Sequence, residues 1–120
     1  MTTITRATST RLVPGLIVSI DAGDSTDTLA LRGQADVDTV PVLADMLARV
    51  LVLHDTSVVV DLSDTEVVDA TAAGVFRNAA EFLNDRGRRL TLRSPSEGLV
   101  PTLERYDLSH TIERDGRPQP

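Results

Sequence analysis

The sequence predicts a small single-domain α/β fold, with a mixed sheet of about four strands and helices packed on one face. Three observations carry this. The chain has 120 residues and 0 Cys, which is one domain's length without disulfide staples. Apolar segments fall in the order β β α β α β α, and helix followed by strand is the pattern of βαβ units. The run Ser57–Leu62 (SVVVDL) holds three consecutive valines, which suggests a strand covered on both faces.

Residues 1–11 are Thr-rich without periodicity and read as an arm or loose edge strand. Leu16–Ile20 is an apolar run ending at the turn cluster 21–27, and Thr28–Gly33 alternates around Leu29 and Leu31. Together they read as a β-hairpin. Residues 36–54 form a helix, with Asp38 or Thr39 as N-cap and Pro41 in the first turn, where a missing N–H costs nothing. Its buried stripe is Val40, Leu43, Leu47, Val50, Leu51 and His54 at 3.6-residue spacing. After the third strand, 63–69 reads as an acidic loop. A second helix over 71–85 buries Ala72, Val75, Phe76, Ala79, Ala80 and Leu83, with Gly87 just beyond its end. Leu90–Leu92 is a fourth strand. A last helix is capped by Ser96 and kinked at Pro101, or begins nearer Leu99. The domain spans 12–115, and 116–120 reads as a disordered tail.

Composition removes whole classes of function. A formal charge of −6 opposes binding to nucleic-acid phosphates or acidic lipid. All 12 basic residues are Arg, so no Schiff-base lysine or Walker-type GK[ST] loop exists. No apolar run approaches the roughly 20 residues of a membrane span, and the N-terminus lacks a signal-peptide core. The expected location is the cytoplasm.

Asp61, Asp64, Glu66 and Asp69 form an acidic cluster that a Mg²⁺ ion would suit, though an acidic protein collects such carboxylates in loops anyway. Ser63 and Thr65 are nucleophiles only with a base nearby, and neither His54 nor His110 lies in that segment. Enzymatic activity, metals and cofactors are therefore not expected. The segment 58–76 is less generic. A hydrophobic strand gives way to acidic residues, then Asp69-Ala70-Thr71 meets a helix whose first turns hold only small residues. Small side chains let a partner approach the backbone, and the free N–H groups of a helix start attract anions.

This segment resembles the signature of STAS domains, as in bacterial anti-sigma factor antagonists. Val60-Asp61-Leu62-Ser63 resembles the family's V-D-L-S strand end, and 69–73 occupies the place of its D-S-S-G-L motif. Arg32-Gly33-Gln34-Ala35-Asp36 resembles the G-E-L-D element, and 103–108 resembles L-x-x-x-G-L with Asp107 replacing Gly. The resemblance implies partner switching. The antagonist binds an anti-sigma factor that is also a serine-protein kinase, and phosphorylation of the first Ser of the motif releases it. Here that position is Ala70, and Thr71 stands at the second Ser, one helical step of about 100° away. The resemblance places partner contacts on Asp36, Asp64, Asp69, Ala70, Thr71, Ala73 and Gly74, with Thr71 the candidate phosphoacceptor. The resemblance leaves three alternatives. The first is a non-switching scaffold or homodimerisation module. The second is a nucleotide- or ligand-sensing STAS module. The third is an antagonist permanently able to bind. On this reading Ala73→Glu or Gly74→Arg blocks the partner and spares the fold.

Overall fold

The computed structural model describes residues 8–113. The sequence readings of 1–7 and of the tail lie outside them.

Strand β1 (Thr8–Val13) and β2 (Leu16–Ala22) pair antiparallel, and β2 pairs antiparallel with β3 (Thr26–Ala35) through the predicted hairpin. Helix α1 (Val40–Leu53) then leads to β4 (Ser57–Val68), which lies parallel to β3. Helix α2 (Ala70–Asn84) leads to β5 (Leu90–Arg93), and a short α3 (Val100–Arg105) to β6 (Ile112–Glu113), both again parallel. The sheet therefore has six strands in the order β1-β2-β3-β4-β5-β6, not about four. The additions are the edge strand β1 and the two-residue β6. Each parallel step moves the same way across the sheet, and right-handed crossovers then place all three helices on one face.

That face holds the core. Leu16, Val18 and Ile20 of β2, Leu29 and Leu31 of β3, and Val58, Val60 and Leu62 of β4 point into it. They meet Leu43, Met46, Leu47 and Val50 of α1 and Ala72, Ala73, Phe76, Ala79, Ala80 and Leu83 of α2. Phe76 is fully buried, and burying such a side chain contributes roughly 1.5–3 kcal/mol. The second face is open, contrary to the reading of the valine run. Val59 lies there between its register partners Thr28 and Thr91, buried because its strand is central. Ala30, Arg32 and Asp64 are exposed on the same side.

Two boundaries differ from expectation, and that of α3 falls on the second of its two expected positions. Helix α1 begins at Val40, because 36–39 fold into a hydrogen-bonded turn. Helix α3 begins after Leu99, with Pro101 harmless in its first turn. The expected loop 63–69 is strand almost to its end. Two register shifts against β3 let twelve residues of β4 pair along ten of β3. These bulges turn the burial period from two to three, so Leu62, Thr65 and Val68 point inward.

Candidate functional site

The parallel strands β3 and β4 end side by side at Ala35 and Val68. Each feeds a helix, so two strand-to-helix junctions share one edge of the domain. Gly33 sets up the first. Its φ is +114°, and a Cβ there would stand 2.3 Å from the Gly15 carbonyl oxygen, so only glycine fits. The next residue, Gln34, donates its N–H to that same carbonyl at 2.8 Å.

The turn 36–39 is closed on itself. Asp36 Oδ1 accepts from the N–H groups of Asp38 (3.0 Å) and Thr39 (3.2 Å). The Thr39 hydroxyl accepts from the Asp36 N–H (3.0 Å) and donates to the Gln34 carbonyl (2.8 Å). Asp36 is thus occupied as an internal brace.

Asp69 joins the two junctions. It is the N-cap of α2, and its Oδ1 accepts from the Ala72 N–H at 3.0 Å. Its Oδ2 accepts from the Val37 N–H at 2.9 Å, and its own N–H donates to the Ala35 carbonyl at 3.0 Å. Both carboxylate oxygens are therefore held by backbone. Val37 is drawn beside the start of α2, where it is 64% exposed, and Val67 at the end of β4 is 38% exposed. Ala70 and Thr71 are exposed, and no side-chain hydrogen bond involves Thr71 among the described residues. Gly74, one turn on, has nothing within 4 Å of where a Cβ would point. Arg77 follows on the same face, paired with Glu81 (3.5 Å) and with Asp107 (3.9 Å). Asp107 has a φ of +62°, the left-handed conformation expected where L-x-x-x-G-L carries glycine.

The structure thus brings Asp36, Asp69, Ala70, Thr71 and Gly74 to one edge. Two of the expected residues are elsewhere. Ala73 is 0% exposed and belongs to the core stripe of α2. Its side chain is not on a docking surface, and Ala73→Glu cannot spare the fold. Asp64 pairs with Arg32 at 3.6 Å on the open face, three β3 positions, or about 10 Å, back from the edge. The expected acidic cluster is strung along β4 rather than gathered. Asp61 accepts from the Ser63 N–H and Asp69 caps a helix. Thr65 is buried, and its hydroxyl donates to the Leu31 carbonyl at 2.8 Å, where the bulge interrupts the ladder, so it is not available as a nucleophile. Sequence reasoning missed Val37 and Val67 as exposed apolar neighbours of the edge. The signal for Val37 was an apolar residue set between two aspartates.

The arrangement offers a small contact edge in which the Thr71 hydroxyl stands between apolar neighbours and the Asp69 cap. Among the described residues no three metal-ligating side chains converge. Among the same residues no helix is long and apolar enough to cross a membrane.

The family profile described as "Mlab, STAS domain" matches residues 18–113. Two solved structures share the fold. One is the anti-sigma factor antagonist SpoIIAA in its unphosphorylated form. It has a TM-score of 0.69 at 14% identity and covers 90% of this chain and 87% of that one. The other is the Bacillus cell fate determinant SpoIIAA in the phosphorylated form. Its TM-score is 0.65 at 14% identity, with 90% of each chain covered. No curated protein matches the sequence.

Proposed function

The chain belongs to the STAS domain family, and from that premise we propose that it is an anti-sigma-antagonist-like regulator. It binds an anti-sigma factor that is also a serine-protein kinase, through the edge where α2 begins. It works by association rather than catalysis, in the cytoplasm. One observation supports this most: Ala70 and Thr71 lie exposed at the start of α2, Gly74 beside them has open space where a Cβ would point, and Val37 and Val67 flank them.

The hydroxyl that gates the family's interaction is absent at Ala70, so any switch on this edge passes to Thr71. A phosphate there adds about −1.5 to −2 charges. Within the domain that charge is tolerated, because it sits at the positive end of α2. Against a partner it must be desolvated, which opposes docking. Phosphorylation of Thr71 would therefore release the partner without unfolding the antagonist.

The test is incubation with the anti-sigma kinases of the same cell and ATP, read by intact mass and by complex formation. A stable complex lost on gain of one phosphate at Thr71 supports the switch. A stable complex with unchanged mass supports a permanent antagonist, which the methyl of Ala70 favours. No complex with any of them overturns the reading.

A further inference from the structure

The opposite end of α1 carries a second, unrelated feature. Between the C-terminal half of α1 and the strands β1 and β2 lies an open cavity of about 470 Å³, within the size range of small-molecule sites. Its wall is apolar: Ile20, Ala22, Met46, Val50 and Leu53. Leu53 is 73% exposed at its mouth. The polar groups are Arg11, Arg49 and His54, with Thr10.

The two arginines are set for an anion. Arg11 and Arg49 share a single carboxylate, Asp45 Oδ2, at 3.4 and 3.3 Å. Two guanidiniums thus face one carboxylate, in a protein whose total is −6. Each guanidinium has five N–H donors, most of them unused by Asp45. His54 is fixed from behind. Asp27, 0% exposed, accepts from His54 Nδ1, from the Thr56 hydroxyl at 2.9 Å and from the Gly23 N–H at 3.2 Å. With its Nδ1–H given to that carboxylate, the ring leaves Nε2 as a hydrogen-bond acceptor, so the anion's donors are the two arginines.

We propose that this cavity binds a small amphiphilic carboxylate, an aliphatic chain against Ile20, Met46 and Val50 and the carboxylate at Arg11 and Arg49. The 14 residues of α1, about 20 Å, separate it from the edge at Asp69. Ligand and protein partner therefore occupy different surfaces.

The test is isothermal titration of the full chain with hexanoate, octanoate and decanoate, with octanol and acetate as controls. Saturable binding near one per chain is expected, tightening about three- to fourfold per methylene. Octanol and acetate should each bind at least tenfold more weakly than octanoate. Arg49→Gln, at an exposed position, should weaken octanoate about tenfold or more. Ala22→Leu should reduce binding by filling the wall, and both variants should keep the wild-type melting curve. Three results would overturn the proposal. One is no saturation, as would follow if a second copy filled the groove. Another is equal affinity for octanol. The last is uptake only from anionic vesicles and not from monomeric carboxylate.

Discussion

Thr39 and Thr71 stand at neighbouring strand-to-helix junctions on the same edge, yet they do opposite things. Thr39 is 2% exposed, and its hydroxyl is bonded on both sides, to the Asp36 N–H and the Gln34 carbonyl. Thr71 is exposed, and no hydrogen bond engages its hydroxyl among the described residues. The difference comes from the length of the connection. Four residues, 36–39, fold back over the first junction. The second is crossed by Asp69 alone, which caps the helix and covers nothing beyond it. A junction that closes on itself is structural, and one that closes in a single step leaves its helix start for another molecule.

Substitutions sharpen that contrast. The largest effect is expected on α2 itself, where adjacent residues divide between inside and outside. Ala73→Glu places a carboxylate in the core and should cost more than about 4 kcal/mol, read as loss of the cooperative thermal transition. Asp69→Ala removes the cap of α2 and the bond to Val37 together. It should cost about 1–3 kcal/mol in urea unfolding. Thr39→Val leaves the Gln34 carbonyl and Asp36 N–H without their partner, for about 1–2 kcal/mol. Thr71→Ala should move stability by less than about 0.5 kcal/mol, since no contact is lost. Gly74→Arg runs the other way. It should stabilise by about 0.5–1 kcal/mol, because glycine is a poor helix former and the space is open. If Thr71→Ala proved as costly as Thr39→Val, the contrast between the junctions would not hold.

Much of this was legible in the residues. The hairpin, the two long helices and the core faces follow from the spacing of Leu29 and Leu31, of Leu43, Leu47 and Val50, and of Phe76, Ala79 and Leu83. The extension of β4 was not, because its bulges replace alternation by the triplet Leu62, Thr65, Val68, and its polar residues face the open side. Strand β1 carries Thr and Arg on an edge that buries little, so its sequence resembles an arm. Ala73 was misplaced for a different reason. It lies three residues before Phe76 and seven before Ala80, within the buried stripe, but the small-residue start of the helix groups it with Ala70 and Gly74, which are not buried. The shared role of Asp69 is invisible in sequence, since Val37 lies 32 residues away.

The central claim is that the open start of α2 is where a regulatory partner docks. The most direct measurement is titration of the anti-sigma kinases of the same cell with the wild-type chain, Gly74→Arg and Arg49→Gln, each first shown to be folded. The account predicts that Gly74→Arg, no less stable than wild type, loses affinity by at least about a hundredfold, as one charged side chain in an interface centre can cause. Arg49→Gln, at the far end of α1, should bind as the wild type does. Undiminished binding by Gly74→Arg would contradict it.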